Sequence, residues 1–189
     1  MKKNEYGKVN YLLRNRMNLF KQVMSPYVSN EFGQWLCDNG FFTAPASTKY
    51  HGNYEGGLFN HSFCVMNVLV ELSAKNELKW QREASPFIVG MFHDLCKIDQ
   101  YKANRPEATD EPPYVYNTNT LLKGHGDKSI MMIASHLQLT EEEVMCIRYH
   151  MGAFTEKEEW NDYTRAIHKY KNVLWTHHAD MIASHIIGT

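Results

Sequence analysis

Apolar positions recur along this chain at three- and four-residue steps, separated by short polar breaks. This is the period of helices with one buried face. The pattern predicts a first helix over about Tyr6 to Met24, with Leu12, Leu13, Phe20 and Val23 as candidate core residues, closed by Ser25 and Pro26. A second starts near Ser29, carries Phe32, Trp35 and Leu36, and stops at Gly40. Residues 41–57 read as irregular, with Gly56-Gly57 marking a tight entry into a helix over about Leu58 to Asn76. That helix places His61, Cys64, Val65, Val68, Leu69 and Leu72 at helical spacing. The segment from about Ser85 to Ile98 is apolar nearly all round, as a central buried helix is. Pro106, Pro112 and Pro113 forbid a continuous helix across the next stretch, where Tyr114, Val115 and Tyr116 suit a short strand. Helix returns over about Gly126 to Leu137, with Ile130, Ile133 and Leu137 inward. Thr140 and Glu143 form a capping-box pattern before Val144, Ile147 and His150. A long final helix is expected over about Asp162 to Ile187, with Ile167, Tyr170, Leu174, Met181 and Ile182 inward. Strand signals are nearly absent. The expected fold is therefore an all-α, single-domain bundle of six or more helices spanning 1–189, with no repeat or linker.

The chain has 189 residues, enough for one ordinary domain with a real core. Its 20 basic and 21 acidic residues leave a formal charge of −1. That balance argues against extended duplex nucleic acid as the main partner, because phosphate neutralisation needs a basic face. There is no apolar run long enough to span a membrane, and Met1 to Phe20 lacks the apolar centre of an export signal. The four cysteines, Cys37, Cys64, Cys96 and Cys146, are widely spaced. The reading is a cytoplasmic protein with reduced thiols.

The 10 histidines change the picture. His93-Asp94 falls in the most apolar segment of the chain. An ionised aspartate there is costly unless it is paired or bound to a metal. His61, His125, His150 and Asp180 lie on other predicted helices or at their ends, at separations of roughly one helical hairpin. Inward residues at that rhythm can converge on one point. Imidazoles mixed with carboxylates suit Mn, Fe, Zn, Ni or Co better than Ca. The bland alternatives are a mutually satisfied His93-Asp94 pair, ordinary polar helix ends at His61, His150 and Asp180, and an exposed helix-entry histidine at His125.

The order His61, His93-Asp94, Asp180, with His125 and His150 between, resembles the HD-domain metal-dependent phosphohydrolases. The surrounding words GGLFNHS, FHDLCKI, LLKGH, IRYHMG and THHADMIAS look most like the catalytic HD domain of YhaM-type 3′–5′ exoribonucleases. The resemblance spans about residues 51–185, with the helices of 1–50 expected to pack on that core. It implies one metal held by His61, His93, Asp94 and Asp180, and a second held by Asp94, His125 and His150, with Asp94 bridging. One or two divalent transition-metal ions are the implied cofactors. A hydroxide activated by them is the implied nucleophile, attacking phosphorus in line. Lys97 matches the lysine of the family's HDxxK and is the implied phosphate contact; its alternative is a helix-end lysine reaching water. His177, one turn before Asp180, is expected as a supporting donor or a proton shuttle, so Asp94, Lys97 and His177 are the candidate catalytic residues. Cys96 stands where the family usually has Gly. The residues before the His61 motif read as helices, not as the OB-type domain those enzymes carry.

The implied activity is hydrolysis of a phosphate ester of a nucleotide or short oligonucleotide. A 5′-nucleotidase-like monoesterase and a non-catalytic nucleotide-sensing module are the alternatives. The loop from Asp99 to Lys123 reads as a lid or specificity loop offering Tyr101, Arg105, Tyr114 or Tyr116 to a base or phosphate, or as a variable insertion. His51, His136, His168 and His185 are expected at the surface or core rim. Glu141 to Glu143 read as a charge cluster favourable at a helix N-terminus. Met131 and Met132 read as packing residues.

Overall fold

A computed structural model describes residues 3–104, 111–122 and 124–189. Those residues are predominantly helical, with eight α-helices and one two-stranded sheet among them. The chain folds into two compact units, one of residues 1–60 and 97–117 and the other of 61–96 and 118–189.

The first unit contains α1 (Lys3–Met24) and α2 (Asn30–Asp38). Ser29 caps α2 by accepting from the Phe32 N–H. Its core is aromatic. Phe20, Phe41, Phe42 and Phe59 pack with ring centroids 5.3–6.3 Å apart, mostly edge to face. Phe20 and Met24 are buried on α1, but Leu12 is exposed and Leu13 and Val23 are only half-buried. The expected α1 face is therefore rotated toward Met24. Residues 41–56 are non-helical yet ordered: Arg16 donates to the carbonyls of Phe42 and Glu55, and Ala46 N–H donates to the Gly52 carbonyl. Among the described residues of the loop expected after the HD motif are two short strands. β1 (Tyr101–Ala103) pairs antiparallel with β2 (Tyr114–Tyr116), placing Tyr101 opposite Tyr116 with rings 5.2 Å apart. The strand at Tyr114–Tyr116 was legible; its partner was not. Arg105 and Pro106 lie outside the described residues.

In the second unit run most of α3 (Gly57–Lys75), all of α4 (Ser85–Phe92), α5 (Gly126–Ala134), α6 (Glu141–Arg148), α7 (Trp160–Lys169) and α8 (Asn172–Met181), then a π-helical turn, Ile182–Ile187. α6 packs on α4, α5 and α8. The core includes Val65, Met66, Leu69, Val89, Met91, Phe92, Ile147 and Val173, all fully or almost fully buried. α4 and α3 come very close at Gly90, where a Cβ would sit 2.4 Å from the Met66 Cα.

Two of the expected helices are corrected by the structure. The helix expected to reach Ile98 ends at Phe92; His93 is its C-cap and Leu95–Ile98 is a 3₁₀ turn. The long terminal helix is broken, because Tyr170 is extended (φ −132°, ψ 95°) and α8 restarts on Asn172. The break is stabilised by Asn172, whose buried amide donates to the Lys79 carbonyl and to Glu142. Leu174, expected inward, is exposed. Glu141, Glu142 and Glu143 lie in the first turn of α6, as expected of a charge cluster at a helix N-terminus. Glu143 closes the capping box with Thr140 and takes two hydrogen bonds from Arg82, at 2.8 and 2.7 Å. Glu142 accepts from the Gln81 N–H at 2.7 Å. Met131 is exposed, so it is not a packing residue, and His136, His168 and His185 are exposed as expected.

Candidate metal centre

The metal-ligand candidates come from five stretches of the second unit. His61 lies in α3, and His93 and Asp94 follow α4 in the turn that the end of the apolar helix creates. His125 is the N-cap of α5, and His150 follows the C-cap of α6. Asp180 and His177 share α8. His61, His93 and His150 are fully buried, and Asp94 is 2% exposed. The structure thus brings together all six residues expected to ligate.

The Asp94 carboxylate lies at the middle of the group. Its Oδ2 is 3.5 Å from His61 Nε2 and 3.4 Å from His93 Nε2. Its Oδ1 is 2.6 Å from His125 Nε2 and 3.5 Å from His150 Nε2. His61 Nε2 is also 3.2 Å from Asp180 Oδ1 and 3.3 Å from His93 Nε2. For metal–ligand bonds of about 2.0–2.2 Å, neighbouring donors around a tetrahedral or octahedral ion lie about 3.0–3.5 Å apart. All these separations but that of His125 fall in the range. Buried His, Asp and Cys groups with donor atoms within 4.8 Å of one another are therefore suited to holding a metal ion.

The outward nitrogens decide which atoms face in. His61 Nδ1 lies 3.1 Å from the Thr189 carbonyl oxygen, His93 Nδ1 2.9 Å from that of Gly90, and His150 Nδ1 2.6 Å from that of Ile147. A carbonyl only accepts, so each Nδ1 carries the proton and each Nε2 presents its lone pair inward. Two bare Nε2 atoms 3.3 Å apart repel, and a shared cation or one added proton resolves that. His125 Nε2 and His150 Nε2 are buried and make no hydrogen bond of good geometry. The donor set thus fits a divalent ion, and the bland reading of a mutually satisfied His93-Asp94 pair does not account for it.

Burial works against charge on His61, but Asp180 and Asp94 outweigh it and raise its pKa to about 9. Burial keeps His93 below its usual value, while contact with Asp94 overcomes burial and raises His150. Burial alone would raise Asp180, yet its histidine neighbours hold it far below the usual carboxylate range. A proton on His61 thus stands in for a cation at neutral pH in the metal-free protein. Metal must displace it. Apparent affinity should rise with pH, by up to about tenfold per unit, and level off near pH 9. Calorimetric titrations at pH 7 in buffers of differing ionisation enthalpy should detect proton release. Affinity that is flat from pH 6 to 9 would contradict the assignment.

His177 Nδ1 donates to the His150 carbonyl at 2.8 Å. Its ring stands against Gly152, whose φ of +56° and missing Cβ leave room for it; a Cβ there would come within 2.5 Å of the ring. Lys97 is half-buried in the 3₁₀ turn directly after Cys96. Two participants escaped the sequence reading. Thr189 supports His61 through its carbonyl, delivered by the π-helical turn and a left-handed Gly188 (φ +83°). Ser129, fully buried, receives the Cys96 N–H at 3.0 Å. Neither carries a motif; only the histidine each serves points to it.

No helix among the described residues is long and apolar enough to cross a membrane, and no disulfide joins any of the four cysteines. Comparison of the chain with protein-family models, with curated proteins and with solved structures returns no match.

Proposed function

We propose that this chain is a metal-dependent phosphohydrolase of the HD-domain type, cleaving a phosphate ester of a nucleotide or short oligonucleotide. His61, His93, Asp94 and Asp180 would hold one divalent transition-metal ion, and Asp94, His125 and His150 a second. The observation that carries this reading is the pairing of the two Asp94 oxygens, Oδ2 toward His61 and His93 and Oδ1 toward His125 and His150. A carboxylate so placed would offer one oxygen to each of the two ion positions. Bound ions of this kind supply Lewis acidity and a water acidic enough to act as nucleophile at neutral pH.

The chain's own side chains divide the remaining work. The carbonyl anchors hold the imidazoles in the tautomer that binds metal. His177 has its Nδ1 proton committed to the His150 carbonyl, which leaves Nε2 to carry a proton to the leaving group. Lys97 takes a non-bridging phosphate oxygen, a role that rests on the HDxxK resemblance. The near-neutral charge of the chain favours a small substrate over a long polyanion.

Elemental analysis of protein purified without a metal-affinity tag, paired with assays on bis(p-nitrophenyl) phosphate, dinucleotides and nucleoside monophosphates, tests the reading. Close to two transition-metal ions per chain with diester turnover is the expected result. One ion with monoester turnover would favour a nucleotidase. Absence of metal after incubation with Mn, Fe, Co, Ni and Zn would overturn the proposal. Lys97→Ala should lower turnover by about 10²-fold, in line with loss of one group stabilising transition-state charge, with metal content unchanged. Metal loss in that variant would show that the lysine has been given the wrong role.

A further inference from the structure

Three of the four converging histidines rest Nδ1 on a backbone carbonyl; His125 does not. Its Nδ1 meets the Cys96 sulfur at 3.5 Å. Sulfur is a weaker acceptor than a carbonyl oxygen. His125 also differs in exposure: 27% of its side chain is open to solvent, against 0% for His61 and His150. We propose that Cys96 is the positioning residue for His125, and that this sulfur support makes the metal position served by His125 and His150 looser than the one served by His61, His93 and Asp180. The proposal rests on the metal-centre reading above and deepens it.

The contact is a built one. Cys96 is fully buried, and its N–H donates to Ser129, one turn after His125 on α5. Cys96 therefore grips α5 at two points, by backbone and by sulfur. The start of α5 is itself tightly seated. At Gly126, next to His125, a Cβ would fall 2.5 Å from the Arg148 carbonyl oxygen. With the backbone so confined, the remaining freedom of His125 is rotation of its ring, and the sulfur contact selects one orientation. In that orientation Nε2 comes within 2.6 Å of Asp94 Oδ1. For Nε2 to ligate, the donation runs from Nδ1–H to Sγ, because the opposite arrangement puts a proton on Nε2 and blocks ligation. Sγ meets one nitrogen of the ring and Asp94 the other. The sulfur thus supports the ligand from behind, although Asp94, Cys96 and His125 donor atoms also lie within 4.8 Å of one another.

The test is a cobalt(II) titration of the metal-free full chain, followed by absorption and calorimetry, for wild type, Cys96→Ala and Cys96→Ser. Wild type should take two equivalents of unequal affinity, with no thiolate-to-cobalt charge-transfer band. Cys96→Ala should weaken the second equivalent by about tenfold and leave the first within about twofold. Cys96→Ser should restore most of the loss, because its hydroxyl oxygen accepts the same Nδ1–H. A general packing defect would shift both equivalents and would not be rescued. Unchanged second affinity in Cys96→Ala overturns the proposal. So does a charge-transfer band in wild type that vanishes in Cys96→Ala, which would make Cys96 a ligand. A wild type that takes up no cobalt overturns both this inference and the metal-centre reading, whereas normal uptake with an unaffected alanine variant overturns this inference alone.

Discussion

Replacing Asp94 with alanine should abolish phosphate-ester hydrolysis and strip the metal while leaving the helical fold in place. The two Asp94 oxygens face two different histidine pairs, at 2.6 to 3.5 Å, so one substitution removes a donor from both sets at once. Loss of a residue that merely supports a ligand costs about 10–100-fold in metal affinity, and loss of a shared ligand should cost more. Turnover should fall by about 10³-fold or more, the upper end of what removing one electrostatic stabiliser costs. Asp94→Asn is the sharper variant. It keeps the shape of the side chain but removes the negative charge needed to hold two cations. Metal content by elemental analysis, turnover and circular dichroism check the prediction together. Full turnover with native metal content in Asp94→Asn would defeat the mechanism.

The second large effect is expected at Gly90, which offers no side chain to the site but whose carbonyl holds His93 Nδ1. Gly90→Ala should destabilise the protein and disturb metal uptake. Its added methyl would lie 2.4 Å from the Met66 Cα and 2.8 Å from the Met66 nitrogen, so backbone has to move. Forcing a methyl into a packed core costs about 1–3 kcal/mol, and here the obstacle is main chain, so the upper part of that range applies. Alanine's better helix propensity returns about 1 kcal/mol. The net loss of about 2 kcal/mol corresponds to about 4–8 °C in Tm for a chain of this size. The same shift opens α3 from α4, the two helices that bring His61 and His93 to 3.3 Å. Gly33→Ala is the internal control. The nearest atom to its added Cβ is Phe20 Cε1 at 3.9 Å, so helix propensity should dominate and Tm should hold or rise. Thermal melts of both variants, with and without added metal, decide it. Equal Tm changes at the two glycines would show that the close approach at Gly90 is not what sets the helix spacing.

The pairing of half-buried Arg82 with buried Glu143 marks where local reading stopped being enough. Thr140 and Glu143 were legible as a capping box from their spacing, and the cap is there. That Glu143 also binds Arg82 needed a partner from a distant part of the chain. The break at Tyr170 has the same character. The apolar rhythm runs straight through it, while Asn172 at the start of α8 bonds to Lys79 and Glu142, both distant in sequence.

The site divides along the same line. The residue types of the centre, His61, His93, Asp94, His125, His150 and Asp180, were readable because an aspartate in an apolar segment needs a partner and because histidines at hairpin spacing can meet. The helical class was readable because side-chain period is set by near neighbours. What the tertiary structure decided is orientation: which imidazole nitrogen faces inward, which Asp94 oxygen faces which pair, and which groups stand behind the converging side chains. Orientation follows from hydrogen bonds to atoms distant in sequence, as Thr189 is from His61 and Cys96 from His125. Periodicity and capping are local energies and appear in a sequence as spacing. A carbonyl that anchors a ring is an accident of where another element ends, and no residue type records it.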